Sequence, residues 1–427
     1  MKFALASHGT RGDIEPCAAV GLELQRRGHE VRVAAPANLV GFVESAGLSA
    51  VAYGPGFVEL MDPDLFRNSW KIQNPVTLLR RAMEPVTKPW AEMGAVLTSL
   101  AAGADLLLTG IPYQEVAANV AEYYDIPFAA LQTFPQRING YVVPIPPLPV
   151  TVPSPLIRSG MRLANWVYWR MTKRVEDAQR RELGLPKATG PALQRIVDRG
   201  SLEIQTYDEF CFPQVAAEWG RLTPLQSLPQ RPFVGVLTME LTTGADDEIA
   251  SWIGAGTPPI YFGFGSMPVE SPADTVAMIS AACAELGERA LICSGATDFS
   301  GAQDFDNVKV VAAVNHAATF PACRAVVHHG GSGTTSAGMR AGIPTLILWI
   351  AFDQTIWADV VKRLKVGSAR RFSTTTRETL AADLRQILAP PYVARAREIA
   401  GRMTKPADSV NATADLLEDA ARRGRSG

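Results

Sequence analysis

The sequence predicts an α/β protein made of two doubly wound domains, each with a parallel sheet covered by helices on both faces. The chain of 427 residues exceeds the roughly 250 to 300 residues at which a single hydrophobic core stops growing. Two domains of about 200 residues each are therefore expected. Apolar, strand-like segments alternate with segments of helical periodicity along both halves of the chain, which is typical of such sheets.

The first half opens with a βαβ unit. Residues 2–7 form an apolar strand, residues 15–27 carry apolar side chains at helical spacing, and residues 30–34 form the next strand. The alternation continues to the strands predicted at residues 105–109 and 127–131. After a turn-rich region without clear periodicity, it starts again in the second half with strands that include residues 259–264 and 325–327.

The middle of the first half departs from this alternation. Seven prolines between residues 135 and 155 predict a long loop over residues 133–155. The next segment, residues 159–181, is helical in composition and combines aromatic with basic side chains. These are Trp166, Tyr168 and Trp169, beside Arg158, Arg162, Arg170, Lys173 and Arg174. Such a helix either lies on an anionic membrane or covers a lipid-like substrate, or it is a solvated helix whose aromatic residues face the core.

Composition excludes several classes of protein. The 41 basic and 42 acidic residues nearly cancel, so nucleic acid is not expected as a partner. The five cysteines are scattered, without a Cys-x-x-Cys pair, which favours free thiols in a reducing compartment and indicates no metal site. The first apolar run is too short for a signal peptide, and no run is long enough to span a bilayer. A cytoplasmic protein is therefore predicted.

Glycines and hydroxyl side chains cluster at residues 328–338, which read HHGGSGTTSAG between a predicted strand and a predicted helix. Glycines allow the backbone to approach a ligand closely, and the start of a helix offers free N–H groups. An anion is expected to bind here, because a tight turn alone would not explain paired histidines and three hydroxyls. The pair Asp353 and Gln354 follows about twenty residues later, within reach of a ligand held by this loop.

The first predicted strand is followed by SHGTRGDIEP, residues 7–16. This loop lacks the Gly-x-Gly-x-x-Gly pattern of dinucleotide-binding proteins, so a nicotinamide or flavin cofactor is not expected. Asp13 lies at the ligand-binding edge of the sheet, where it can accept a proton from a hydroxyl; alternatively it is a helix N-cap. His8 is either a base or an ordinary loop histidine, and Arg11 is either an anion contact or a surface arginine.

Together these motifs resemble the donor-site signature of nucleotide-sugar glycosyltransferases. The signature comprises VNH at 314–316, HHGGSGTT at 328–335, GIP at 342–344 and DQ at 353–354. The opening HGTRGDIEP at 8–16 is similar to the acceptor-side opening of the bacterial branch of the UDP-glycosyltransferase family. That branch includes enzymes that glycosylate glycopeptide antibiotics, sterols and mycobacterial glycopeptidolipids.

The resemblance implies a GT-B fold, in which two Rossmann-like domains face each other across a cleft. It implies an acceptor-binding domain at 1–218, a linker at 219–235, a donor-binding domain at 236–405 and a C-terminal helix at 406–427 that crosses back to the first domain. Such enzymes need no metal and no cofactor beyond the nucleotide sugar, which is a co-substrate. They invert the anomeric centre.

The resemblance also assigns roles to residues. Asp13 takes the position of the general base, with His8, Thr10 and Arg11 on the acceptor side. His328 matches a histidine that contacts the pyrophosphate, and Asp353 and Gln354 match residues that hold sugar hydroxyls. The implied donor site consists of Ser266 in a second phosphate loop, Val314 near the nucleobase, and His328, Gly330, Gly331, Ser332, Gly333, Thr334, Asp353 and Gln354.

Two departures from the plant members of the family affect the donor. Plant relatives carry a tryptophan where this chain has Ala312 and Ala313, so stacking on the base is missing and uridine versus thymidine stays open. They also carry Trp-Asn-Ser where this chain has Gly331, Ser332 and Gly333. This second difference shifts the expected phosphate contacts from side chains to the backbone.

The predicted function is inverting, metal-independent transfer of a hexose or deoxyhexose from a UDP- or TDP-sugar to a hydroxyl of a hydrophobic acceptor. The acceptor class rests on long segments rich in aromatic residues, methionine and proline at 53–90 and 133–169. Residues 158–174 add a predicted peripheral contact with the inner face of the membrane. Two alternatives are a nucleotide-sugar epimerase of the same fold and a non-catalytic helper of a glycosyltransferase.

Overall fold

The computed structural model describes residues 1–56, 59, 81, 83–143, 152–222, 231–239, 244, 246–265, 269, 271–299, 301, 303–350 and 353–425. The chain divides into two compact units. The first unit comprises Met1–Val142, Val152–Met239 and Lys405–Gly427, and the second comprises Val143–Thr151 and Glu240–Thr404. Each unit contains one six-stranded sheet, whose neighbouring strands are all parallel.

The first unit has the strand order β3-β2-β1-β4-β5-β6. Its strands are β1 (Lys2–Ala6), β2 (Glu30–Ala35), β3 (Ala50–Ala52), β4 (Leu106–Thr109), β5 (Phe128–Gln132) and β6 (Leu202–Gln205). The α-helices described in full before residue 239 are α1 (Arg11–Arg26), α2 (Val40–Ser45), α3 (Trp90–Ala101), α4 (Gln114–Tyr124), α5 (Ser154–Glu182), α6 (Ala192–Asp198) and α7 (Pro213–Leu222). Every residue of β4, β5 and β6 is buried, because helices cover both faces of the sheet.

The second unit repeats this plan with the strand order β12-β11-β10-β7-β8-β9. Its strands are β7 (Ile260–Gly263), β8 (Ala290–Cys293), β9 (Val308–Val311), β10 (Ala325–His328), β11 (Thr345–Trp349) and β12 (Gly367–Arg371). Its helices are α8 (Asp246–Gly254), α9 (Pro272–Glu285), α10 (His316–Thr319), α11 (Ser332–Ala341), α12 (Gln354–Leu364), α13 (Arg377–Ile387) and α14 (Pro390–Ala400).

The last helix, α15 (Pro406–Arg425), belongs to the first unit although it follows the second in the chain. Its buried Ala414, Leu417 and Ala421 join the core on the face of the first sheet that carries Phe3 and Leu5. Alternate residues of β1 point to opposite faces, so Ala4 and Ala6 belong to the other core layer.

Two sequence predictions about boundaries differ from the structure. The predicted loop over residues 133–155 extends too far, because α5 begins at Ser154 and Pro155 lies in its first turn, where proline is favourable. The described part of the segment predicted as the linker, 219–235, lies in the first unit. There the ring of Phe233 stacks on Trp219 of α7, with centroids 6.3 Å apart.

The strand orders locate the ligand-binding edge of each sheet. In the first unit, the strands that follow β1 are added on one side of it and the strands that follow β4 on the other side, so the strand order reverses between β1 and β4. In the second unit, the strand order reverses in the same way between β10 and β7. Ligands of doubly wound sheets bind beyond the carboxyl ends of the strands at such a switch point. Ligands are therefore expected at the loops that follow β1, β4, β7 and β10. Among the helices that the structure describes, none is long and apolar enough to cross a membrane.

Candidate functional site

The loop after β1 places Asp13 at the carboxyl edge of the first sheet. Thr10 is the N-cap of α1, and Asp13 is the third residue of the helix. Oδ2 of Asp13 accepts hydrogen bonds from the backbone N–H of Thr10 at 2.7 Å and from the Thr10 hydroxyl at 3.1 Å. The alternative that Asp13 is itself the N-cap is therefore wrong in position, although its carboxylate does satisfy the N-terminus of the helix.

The two oxygens of the Asp13 carboxyl group differ in their surroundings. Both bonds from Thr10 end on Oδ2, and no residue of the described ranges donates a hydrogen bond to Oδ1, which leaves that oxygen for another partner. Burial raises the pKa of this carboxyl to about 6, against the two hydrogen bonds from Thr10, which lower it. Asp13 thus combines a held oxygen, a free oxygen and a pKa closer to neutrality than that of an ordinary aspartate, which suits a general base.

Gly9 permits this arrangement. Its φ of +129° is a backbone conformation that residues with side chains rarely adopt. A Cβ atom at Gly9 would lie 2.3 Å from Oδ2 of Asp13, so any side chain would displace the carboxylate. The loop after β4 packs against the loop after β1, because a Cβ atom at Gly110 would lie 2.5 Å from the Ser7 hydroxyl oxygen. The two switch-point loops are therefore in direct contact.

His8 and Arg11, predicted on the acceptor side, have different environments. His8 is buried, and its Nε2–H donates to the carbonyl of Pro55 at 2.8 Å. Burial lowers the pKa of its imidazole, which keeps the ring neutral. Arg11 is exposed, bonds Glu15 at 3.3 Å and lies over the ring of Phe42. Thr10, in contrast, contacts Asp13 directly.

His328 lies at the carboxyl end of β10, on the ligand-binding edge of the second sheet. It is fully buried, and its Nδ1 accepts a hydrogen bond from the backbone N–H of Gly330 at 3.0 Å. Burial lowers its pKa well below the usual value, so the ring is neutral and its proton resides on Nε2. Within the described residues this Nε2 has no hydrogen-bond partner. His328 therefore presents an unpaired, buried N–H donor.

The N-terminus of α11 lies directly beside this histidine in the chain. Gly331 is the N-cap and has no side chain to offer. Its carbonyl accepts the N–H and the hydroxyl of Thr335 at 3.0 and 2.8 Å. No acceptor within the described ranges receives the preceding N–H groups, those of Ser332, Gly333 and Thr334. Three N–H groups at the positive end of the helix dipole form a site for an anion.

The glycine loop also packs against the start of α12. Gly330 has a φ of +104°, and a Cβ there would lie 2.9 Å from Cγ2 of Ile347 and 3.1 Å from Cβ of Gln354. The structure thus brings Gly330 and Gln354 together. Oε1 of Gln354 accepts the N–H of Ile350 at 2.7 Å, which holds the loop after β11. Asp353 is the N-cap residue of α12.

Val314 and Ser266 complete the sequence-predicted donor site. Val314 is buried and precedes Asn315, whose side chain caps α10. Ser266 lies outside the described residues. Among the described residues no group of His, Cys, Asp and Glu side chains is placed to hold a metal ion.

Sequence reasoning missed a set of buried polar residues at the carboxyl edge of the first sheet. Thr109 and Gln132 are the last residues of β4 and β5, and both are fully buried. Tyr113, at the start of α4, has a φ of +61°, which is unusual for a residue with a side chain. The available signal was a polar residue ending an apolar run, as in LLLT and FAALQ.

Two Rossmann-like units, each with polar groups at its topological switch point, define a protein of the GT-B class. Family models agree with this assignment in both halves. Residues 3–142 match the glycosyltransferase family 28 N-terminal domain. Residues 292–416 match the erythromycin biosynthesis protein CIII-like C-terminal domain.

Individual proteins are similar over nearly the whole chain. An uncharacterized glycosyltransferase of Mycobacterium tuberculosis is 67% identical, covering 100% of both chains. A sterol 3-beta-glucosyltransferase of Arabidopsis thaliana is 29% identical, covering 98% of this chain and 68% of the relative. Among solved structures, the glycotransferase of kitacinnamycin has a TM-score of 0.70 at 17% identity, covering 98% of both chains. The glycosyltransferase VinC, in complex with dTDP, has a TM-score of 0.63 at 16% identity, covering 99% of this chain and 100% of VinC.

The chain belongs to the bacterial branch of the GT-B nucleotide-sugar glycosyltransferases. The predicted fold class and the predicted enzyme class, a glycosyltransferase, are thereby confirmed. The alternatives of an epimerase and a non-catalytic helper gain no support from these matches.

Proposed function

We propose that this glycosyltransferase moves a hexose or deoxyhexose from a UDP- or TDP-sugar to a hydroxyl of a hydrophobic acceptor, with inversion and without a metal ion. The observation that carries the proposal is the unpaired N–H of buried His328 beside the free N-terminus of α11. These hydrogen-bond donors are suited to a diphosphate leaving group. The donor ligands are proposed to include Ser266, Val314, Asp353 and Gln354.

Asp13 is the proposed general base. Its free Oδ1 takes the proton of the acceptor hydroxyl while the oxygen of that hydroxyl attacks the anomeric carbon. The bond between the anomeric carbon and the diphosphate oxygen breaks, and its electron pair leaves with the nucleoside diphosphate. Attack on the face opposite the leaving group inverts the anomeric centre. The proton ends on Asp13, whose Oδ2 remains held by Thr10.

The leaving group gains negative charge as this bond breaks. His328 donates through Nε2–H, and the N–H groups of Ser332, Gly333 and Thr334 supply the positive end of a helix. Fixed donors in a water-excluded site stabilise developing charge without reorganising during the reaction. This is why the proposal requires no metal ion. The dTDP bound to VinC supports testing thymidine as well as uridine donors.

A thermal-shift screen tests the donor proposal. We expect one or more UDP- or TDP-sugars to raise the melting temperature, because a ligand that binds only the folded state stabilises it by about 2.7 kcal/mol at a hundredfold excess over Kd. NAD serves as the control and should produce no shift, since neither switch-point loop matches a dinucleotide fingerprint. The absence of a shift with every UDP- and TDP-sugar would contradict the proposal.

The hydrophobic acceptor is proposed together with a peripheral membrane contact through α5. Leu156, Leu163 and Trp166 are 62%, 61% and 50% exposed, whereas Trp169 is buried. The tryptophans of α5 therefore divide between an exposed face and a buried face of the helix. Exposed arginines flank the apolar side chains, and residues 154–175 contain no acidic residue, which favours an anionic lipid surface. The sterol acceptor named for the Arabidopsis relative supports an apolar substrate.

Vesicle co-sedimentation tests the membrane contact. The wild-type protein should bind vesicles of phosphatidylglycerol and phosphatidylcholine more strongly than vesicles of phosphatidylcholine alone, and high salt should weaken this binding. The double variant Leu163→Glu, Trp166→Glu should reduce binding by about tenfold or more, because it removes the apolar contact. Tyr123→Glu, at a 47% exposed position of α4, is the matched control. Equal binding by the double variant and the wild type would rule out this face of α5.

A further inference from the structure

Buried polar atoms without partners concentrate at the carboxyl edge of the first sheet. Within the described part of this unit, several side-chain atoms are buried and lack a hydrogen bond. They are Tyr53 Oη, Thr109 Oγ1, Tyr113 Oη, Gln114 Nε2, both Gln132 amide atoms and Trp169 Nε1. Native proteins leave only a few buried polar groups unpaired, usually where a water or a ligand belongs. Their concentration near β4, β5 and α4 points to a ligand rich in hydrogen-bonding groups.

A small cavity between α4, α5 and α6 lies next to this cluster. Its lining includes Glu115, Tyr168, Trp169, Thr172 and Glu176, and it has space for about one water-sized group. Trp169 is one of these lining residues, and its buried Nε1–H has no hydrogen-bond partner among the described residues.

Glu115 gives the cavity a carboxyl group that forms no ion pair with any described residue. Glu115 is 7% exposed, and no lysine, arginine or histidine of the described ranges forms an ion pair with its carboxyl group. Glu176, the other carboxyl group of the cavity, is paired with Arg195. Burial, the largest cause, raises the pKa of Glu115 to about 7. The charge of Glu176 also raises this pKa, whereas a hydrogen bond from the backbone of Glu115 and the charges of Arg137 and Arg195 lower it.

The polar groups that line the cavity determine which chemical group can bind in it. A group that donates to the carboxyl of Glu115 and accepts from the Trp169 N–H would satisfy both lining residues. An ammonium group cannot accept a hydrogen bond, and an anion is repelled by the two carboxyl groups. A hydroxyl does both.

We propose that this cavity binds a second hydroxyl of the acceptor, so that the acceptor carries a sugar or a similar polyol beside the hydroxyl that reacts. The inference rests on the proposed function, which assigns the acceptor to the first unit. Tyr113 connects the loop after β1 with the cavity. Its ring packs edge-on against His8 of that loop with centroids 5.0 Å apart, and it lies two residues before Glu115 of the cavity.

Isothermal titration with 1-octanol and octyl β-glucoside, below the micelle concentration of the glucoside, tests this inference. We expect the wild-type protein to bind the glucoside at least about tenfold more tightly than the alcohol, because the sugar satisfies buried polar groups. Trp169→Phe keeps an aromatic ring and removes only the N–H donor, so it should abolish most of this preference. Glu115→Gln should reduce it severalfold. Trp252→Phe, the same substitution in the second unit, should leave it unchanged.

The titration decides the inference independently of catalysis. Equal affinity for the two ligands in the wild-type protein would overturn it and would indicate that a water molecule fills the cavity. An unchanged preference in Trp169→Phe, with a normal melting temperature, would also overturn it. If no sugar is transferred to any acceptor but the glucoside preference is present and depends on Trp169, then the proposed reaction fails and the binding site stands.

Discussion

Replacing Asp13 with asparagine is expected to lower kcat for sugar transfer by roughly 10²- to 10⁴-fold, the range by which a positioned general base accelerates a reaction. Asparagine is nearly the same size, and its side-chain oxygen can still accept the N–H and hydroxyl of Thr10 that now bond Oδ2. It cannot take a proton from the acceptor. Donor affinity, measured by thermal shift with the nucleotide sugar that binds the wild type, should remain near normal.

The control for this variant is Glu44→Gln, which makes the same kind of change at an exposed carboxyl in α2 and should leave turnover unchanged. Asp13→Asn should not destabilise the fold at neutral pH. The folded-state pKa of Asp13 is raised from 3.8 to about 6, so ionising this group opposes folding, and its contribution to stability rises as pH falls from about 6 towards 3.8. Unchanged turnover in Asp13→Asn would leave Asp13 with a helix-capping role only.

The same pKa sets the expected pH dependence of transfer. Asp13 acts as a base only when ionised, so kcat/KM should fall about tenfold per pH unit below about pH 6. Thr10→Val removes the hydroxyl that donates to Oδ2 and so destabilises the ionised form. The acid limb of the profile should therefore move to higher pH in this variant, which distinguishes Asp13 from a residue that only maintains structure.

The elements of the fold were predictable because their signals are local. Apolar runs such as LLLT and FAALQ became buried strands, and the glycine-rich segment 328–338 became a strand, a loop and a helix start. The start of α5 was missed because proline acts differently in the first turn of a helix than in its interior. A local pattern could not predict the bonds between Arg27, the C-cap residue of α1, and α15, such as the bond to Asp415 at 2.6 Å.

The candidate site was predictable as a set of residues but not as a set of hydrogen bonds. That His328 and Asp13 follow the ends of strands can be read from the order of apolar runs. Which nitrogen of His328 carries the proton depends on the turn that brings the Gly330 N–H to Nδ1. Which oxygen of Asp13 is free depends on Thr10 being the N-cap. Such details follow from loop geometry, and they decide the chemistry.

Replacing His328 with asparagine is expected to lower kcat by roughly 10²- to 10³-fold, the usual effect of removing one fixed donor to a developing anion. The side-chain oxygen of asparagine can accept the Gly330 N–H that His328 Nδ1 accepts at 3.0 Å, so the loop is retained. The shorter side chain does not reach the position of Nε2. Steady-state kinetics with a saturating nucleotide sugar measures the loss.

His328→Gln separates donation from loop support, because its amide N–H extends towards the position of Nε2. It should recover part of the activity that His328→Asn loses. The acid limb of the pH profile should stay the same in His328→Gln as in the wild type, since burial keeps the pKa of His328 well below its usual value and the limb belongs to Asp13. Wild-type kcat in His328→Asn would show that the N–H groups at the start of α11 stabilise the leaving group without the histidine.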